Sequence, residues 1–278
     1  MTILTFSVLL LIISFLAGLL GALTGLGGGV IVIPALILLF HIDIHYAMGA
    51  SIISVIATSS GAAAAYLREG YTNLRVGIFL ETAAVIGAVI GASLIAIVSP
   101  AFLAIVFSIV LFISAYLTIN RKEEKEIYSS SHPWSIVLNL DGTYPLKGQK
   151  VNYFVQRVPL GLSIMGLAGI ISGLLGIGSG TLKVLAMDQA LRLPYKVSTA
   201  TSNFMIGITA AVSAGIYFMH GYIDPALTFP VMIGVIAGSF TGAKVLRHMN
   251  VRLLRIIFSI AICFVAIQML YNTLAGAT

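Results

Sequence analysis

The chain has 278 residues, 59% of them hydrophobic and only 9% charged, with a mean hydropathy of +1.07. Soluble domains carry about 25% charged residues, so no soluble fold of this length could hide so much apolar surface, and a soluble enzyme is excluded. The formal charge of +6, from 15 Lys+Arg against 9 Asp+Glu, is spread between apolar runs. This is the pattern of membrane orientation signals and argues against nucleic acid as a partner.

At least seven apolar runs reach roughly 18 residues, enough to cross a hydrocarbon layer of about 30 Å. The expected segments are 3–24, 30–40, 46–66, 77–98 and 101–119, then 158–175, 181–191, 196–219, 226–246 and 251–274. Met1-Thr2-Ile3-Leu4 places no Lys or Arg before the first run, which argues against a cleaved signal peptide and for a retained membrane segment. Between the two groups lies a polar segment, 120–157, opening with the charged run Arg121 to Glu126. It is expected to be a solvated linker, in which the apolar stretches 136–140 and 151–155 could form a small hairpin. The single Cys263 allows no intrachain disulfide and no Cys-based metal site.

The two groups are one sequence written twice. Gly25-Leu26-Gly27-Gly28-Gly29 matches Gly176-Ile177-Gly178-Ser179-Gly180 at an offset of 151. Without a gap, the same offset pairs Gly18 with Gly169, Ser51 with Ser202, Thr58 with Thr209 and Tyr66 with Tyr217. It also pairs Gly70-Tyr71 with Gly221-Tyr222, Gly87 with Gly238 and Gly91 with Gly242. The domains expected are therefore a first membrane repeat (1–119), a linker (120–157) and a second membrane repeat (158–278).

Charge counting selects the topology. If each glycine loop turns the chain back, loops 67–76, 120–157, 192–196 and 244–255 share one face and hold every basic residue except Lys183, 14 of the 15. The positive-inside rule makes that face cytoplasmic and both termini extracytoplasmic. The first repeat then starts outside and the second inside. The fold class expected is an all-α polytopic membrane protein of two inverted-topology repeats, each with a broken hairpin and three full transmembrane helices.

The half-length runs locate the candidate site. Eleven helical residues rise only about 16 Å, so runs ending near Phe40 and Leu191 begin near the midplane, and the glycine loops lie deep in the bilayer. Paired Gly-interrupted segments in corresponding positions of two inverted halves point to a transporter's substrate site. Glycines expose backbone N–H groups, and the half-helices aim their positive ends at the centre, which suits an anion. The candidate substrate-binding residues are Gly25, Gly27, Gly28, Gly29, Gly176, Gly178, Ser179, Gly180, Thr181, Lys183, Ser51, Thr201, Ser202 and Asn203. Lys183, a costly cation inside the membrane, would contact the anion, or else pair with Asp188 or snorkel toward the interface. Asp188 stands four residues before Arg192, a helical ion-pair spacing, or carries a coupling proton. Glu81 reads as an interfacial carboxylate. Ala83, Gly87 and Gly91, with Gly234, Gly238 and Gly242, have the four-residue spacing of packed membrane helices. His41 and His45 lack a third ligand type, so no metal is expected, and no cofactor or Walker-type motif is seen. The residues leave open a channel, or a carrier of small organic carboxylates, beside a secondary transporter of other small anions. They show no nucleophile–base pair of an enzyme.

The doubled glycine motif, with Pro34 after the first copy and Ala200-Thr201-Ser202-Asn203-Phe204 after the second, resembles the TauE/SafE sulfite exporter family, also called the toluene sulfonate uptake permease family or DUF81. The resemblance covers nearly the whole chain outside 120–157. It implies secondary transport of sulfite, sulfonates, sulfoacetate or similar small anions across the cell membrane. The chain departs from the family pattern at Ser179, where the family usually has Gly, and its position 185 is Leu opposite Pro34 in the first repeat.

Overall fold

In lipid, only a helix or a closed barrel satisfies every backbone N–H and C=O internally, and this chain is helical almost throughout. The computed structural model describes residues 3–24, 27–68, 70–119, 131–146, 149–245 and 251–274. The first half holds α1 (Ile3–Thr24), α2 (Gly29–Phe40), α3 (Ile44–Arg68), α4 (Leu74–Leu94) and α5 (Pro100–Ile119). A short helix α6 (Pro133–Val137) and strands β1 (Gly142–Leu146) and β2 (Gln149–Tyr153) follow. The second half holds α7 (Val158–Leu175), α8 (Gly180–Leu185) continuing as a π-helical turn (Ala186–Ala190), α9 (Tyr195–Met219), α10 (Pro225–Val245) and α11 (Val251–Leu274).

Among the described residues, α1, α4, α7, α9 and α10 are long and apolar enough to cross a membrane. Helix α4 begins at Leu74 and not at 77, because Asn73 caps it: its side chain accepts from the Val76 N–H at 3.1 Å. Apolar periodicity does not register such a polar start signal.

Backbone geometry follows the sequence offset. Gly27 and Gly178 have φ of 78° and 73°, and Gly70 and Gly221 have 72° and 73°. Both half-helices stop the same way: His41 and Arg192 take left-handed φ of 52° and 58°. The next residue then closes the end, with Ile42 N–H on the Leu36 carbonyl (3.1 Å) and Leu193 N–H on that of Met187 (3.0 Å), a Schellman-type termination.

Helix α1 packs along α10 and α4 along α7, α3 lies on α9 and α10, α4 also touches α9, and α5 pairs with α11. The first two pairings are close enough to need glycine. A methyl group at Gly18 would stand 2.7 Å from the Val235 Cα, and one at Gly169 2.9 Å from the Ala84 Cα. Gly87 and Gly91 on α4, like Gly238 and Gly242 on α10, face partner backbone in the same way, as expected of small-residue seams.

The segment between the halves is not merely a solvated linker. Strands β1 and β2 pair antiparallel, Gly142 opposite Tyr153 and Leu146 opposite Gln149. Leu140, Tyr153 and Val155 are buried in one apolar cluster with Val76 and Leu80 of α4, Leu191 and Met205. Asp141 holds the fold together by accepting from Ser131 Oγ (2.7 Å), Ser135 Oγ (2.7 Å) and Val155 N–H (2.8 Å). The Gln156 N–H is bonded to the Leu191 carbonyl at 3.0 Å, at the end of the second broken helix. The charged run Arg121 to Glu126 lies outside the described residues.

Candidate functional site

Two helix breaks, one in each half, come together in the middle of the bundle. Ser51 on α3 donates from Oγ to the Gly176 carbonyl at 2.9 Å, tying the first half to the second loop. A methyl at Gly29 would stand 2.9 Å from Val55 Cγ2, and one at Gly178 2.7 Å from Val55 Cγ1. Val55 of α3 is thus the wedge between the loops, and the absence of a Cβ on either side lets the backbones close around it. Gly27, Gly28, Gly29, Gly176, Gly178 and Gly180 are all buried. Gly25 and the side chain of Thr181 lie outside the described residues.

Ser179 breaks the equivalence of the two loops. It is 2% exposed, holds a left-handed φ of 45°, and its Oγ has no hydrogen-bond partner. Gly28, its counterpart, has φ of −66°. A non-glycine residue in the left-handed region carries about 1–2 kcal/mol of strain, and an unpaired buried hydroxyl adds to it. Such strain is characteristic of functional positions. On the neighbouring turn of α9, Ser198 Oγ and Thr199 Oγ1 are likewise buried and without partners.

Of the α9 triplet, Ser202 reaches the loop, donating from Oγ to the Gly180 carbonyl at 3.3 Å. Asn203 turns its Nδ2 back to the Thr199 carbonyl of its own helix (3.1 Å) and receives Ser59 Oγ on its carbonyl. Thr201 Oγ1 accepts from the Asn73 N–H at 3.0 Å, which links α9 to the start of α4. Asn73 is a hub that the sequence reading missed: its Nδ2 also donates to the Leu140 carbonyl and the Tyr153 hydroxyl, both at 2.8 Å. An Asn immediately ahead of an apolar run is the signal that could have found it.

Lys183 stands one turn beyond Ser179, its N–H bonded to the Ser179 carbonyl at 3.0 Å. It is 0% exposed. Its Nζ lies 3.4 Å from Glu81 Oε2 and donates to the Met205 carbonyl (3.3 Å) and to Thr209 Oγ1. Thr209 in turn donates to Glu81 Oε1. Two readings are corrected here. The carboxylate paired with Lys183 is Glu81, not Asp188, and Glu81 is 4% exposed inside the protein, not interfacial. Because α4 and α8 both pack on α9, residues 102 apart in the chain meet, which spacing along one helix cannot show. Asp188 is buried in the π-helical turn, where it accepts from Gln189 Nε2 at 3.3 Å.

A cavity of about 230 Å³ opens elsewhere, at the His41 to Ile44 turn beside Pro100 and Met269. There His45 pairs with Asp43 at 2.9 Å and stacks on Tyr222, ring centroids 4.9 Å apart. Among the described residues no three His, Cys, Asp or Glu side chains gather so as to hold a metal ion.

A helical bundle with spans of membrane length and broken helices meeting at a buried polar centre is the architecture of a multi-pass membrane transporter. Comparison with known proteins agrees. The family model described as "Sulfite exporter TauE/SafE" matches residues 10–269. The chain is 30% identical over 241 residues to the probable membrane transporter protein YdhB of Bacillus subtilis (strain 168), covering 85% of this chain and 89% of that one. It is 26% identical over 272 residues to the probable membrane transporter protein YunE of the same organism, covering 95% and 97%. To the probable membrane transporter protein MJ0441 of Methanocaldococcus jannaschii it is 24% identical over 269 residues, with 90% of each covered. No solved structure matches. The chain belongs to the sulfite exporter TauE/SafE family of membrane transporters.

Proposed function

We propose that this chain is a secondary transporter of small sulfur-containing anions, such as sulfite, sulfonates or sulfoacetate. Its substrate site is the buried centre where the two glycine loops meet. The observation that carries the reading is Ser179: a strained residue with a buried, unpartnered hydroxyl, at the helix break and one turn from a fully buried lysine. An oxyanion would accept from that hydroxyl, from glycine-loop N–H groups and from Lys183 Nζ, the donor set that suits a sulfite or sulfonate oxygen.

The architecture supporting this function is a pair of inverted-topology repeats, 1–119 and 158–278, with 120–157 and both termini on opposite faces of the cell membrane, the linker cytoplasmic. The matched helix ends and the exchange of α1/α10 packing into α7/α4 packing under the offset support it. Transport proceeds as one set of elements rocks against the other around the site.

The test is a thermal-stability screen of purified protein with sulfite, sulfate, thiosulfate, sulfoacetate, taurine, acetate and phosphate, since a ligand that binds only the folded state stabilises it by mass action. A saturable shift with a sulfur oxyanion or sulfonate, lost in Lys183→Met, is the expected result. Lys183→Met strands Glu81, a loss of about 3–5 kcal/mol for a broken buried pair, so the Glu81→Gln/Lys183→Met double variant serves as the folded control. Stabilisation by neutral or cationic solutes but by no anion defeats the proposal.

A further inference from the structure

The pair Lys183–Glu81 is not required by the fold. At the offset of 151, Lys183 corresponds to Val32 and Glu81 to Met232, while Thr209 corresponds to Thr58. The first half thus carries apolar residues at both corresponding positions and the same threonine. Removing two charges from water is costly, and a well-packed apolar pair is often as stable or more so. Where the chain shows that it can manage without the charges, their retention beside one glycine loop needs a functional reason.

The surroundings of Glu81 narrow that reason. Helix α4 packs on α7 and α9. Helix α7 carries no titratable side chain. On α9, Lys196 lies over the Tyr71 ring (5.5 Å) and Tyr195 stands beside it in the first turn. Tyr217, near the far end, donates to the Gly173 and Leu174 carbonyls. On α4 itself Arg75 donates to the Asn139 carbonyl at 3.3 Å. Helix α8 with its π-helical turn presents Lys183, and Asp188 five residues further along. Among the described residues, the charge within ion-pair distance of Glu81 is Lys183. Anything that takes the Lys183 ammonium from Glu81 leaves a buried carboxylate without a counter-ion, and such a group takes up a proton instead of staying charged.

We propose that Glu81 is the proton carrier of this transporter, exchanging places with the substrate anion at Lys183. The inference rests on the anion reading of the glycine loops. An anion arriving beside Ser179 bonds Lys183 Nζ, and Glu81 leaves the ion pair and accepts one proton from water on the same side. Lys183 stays an ammonium throughout, and Thr209, bonded to both partners, holds them in register. When the anion departs on the other side, Glu81 releases its proton there and the ion pair closes again. One proton moves with each anion in the same direction.

The experiment uses the full chain in proteoliposomes with radiolabelled thiosulfate, an anion fully ionised at neutral pH, and with the membrane potential clamped by valinomycin and equal potassium. In wild type an inward tenfold proton gradient should drive about tenfold accumulation, because for one proton per anion the two ratios balance. A pH dye sealed inside should report acidification as thiosulfate enters. In Glu81→Gln the accumulation ratio should fall to about one, whatever its exchange rate. A second measurement needs no variant: a hydrophobic carbodiimide, which reacts with protonated carboxyls, should label Glu81 faster when thiosulfate saturates the protein, read by mass spectrometry. Thiosulfate exchange without proton-driven accumulation, accumulation that survives in Glu81→Gln, or Glu81 labelling unchanged by thiosulfate overturns proton coupling and leaves the anion site standing. Absence of exchange with thiosulfate and with every other anion of the stability panel removes the anion reading, and this proposal with it.

Discussion

At the scale of single residues, Ser179 and Tyr153 each make a measurable commitment. Ser179→Gly relieves a left-handed φ and removes an unpaired buried hydroxyl. It should raise stability by about 1 kcal/mol while weakening the anion-induced thermal shift. A variant that gains stability and keeps the full shift shows that the hydroxyl does not touch the ligand. Tyr153 sits outside the membrane spans, and its buried hydroxyl is pushed up from the ordinary 10 to about 12, chiefly by burial, with the Asn73 bond opposing and Asp141 adding. A folded-state value above the unfolded one means that this group's stabilisation is complete below pH 10 and lost as pH rises through about 12. Tyrosinate absorbance should therefore show a group titrating near 12 in wild type that is missing in Tyr153→Phe.

Elements are held together here mainly by backbone approaching backbone. Lipid tails are as apolar as leucine, so helices in a membrane associate through close packing and not through hydrophobic expulsion. Gly91 on α4 shows the consequence: a methyl group there would press on the Ile170 carbonyl and stand 2.9 Å from the Leu174 nitrogen of α7. Gly91→Ala should destabilise by about 1–3 kcal/mol through overpacking. Gly215→Ala on α9, where nothing lies within 4 Å of the added carbon, should be neutral or stabilising by up to about 1 kcal/mol from helix propensity. Thermal midpoints of the two variants in the same detergent make the comparison, and equal losses refute the packing account of α4 and α7.

For the whole molecule, topology is the exposed prediction. If the halves are inverted, tags on both termini should be reached by an impermeant reagent from outside intact cells, while a tag in the 120–130 stretch should not. A terminus found in the cytoplasm breaks the inverted arrangement without touching the family assignment. The hairpin belongs to this scale too. By packing Leu140, Tyr153 and Val155 against α4 and the end of the second broken helix, it ties the segment between the repeats to the elements around the Lys183–Glu81 pair.

Much of this was legible in the sequence because membrane helices are coded by period, length and charge, all of them local along the chain. The helical class, the doubled glycine motif, the half-length of α2 and α8, and the small-residue seams required only composition, an offset of 151 and the 1.5 Å rise of a helix. The remainder depended on contacts across the bundle. That Lys183 meets Glu81, that Val55 wedges between two loops, that Ser179 is left without a partner, and that Asn73 joins α4, α9 and the hairpin all involve residues far apart in the chain. Their meeting is set by how helices cross, which the order of residues along any one helix does not contain.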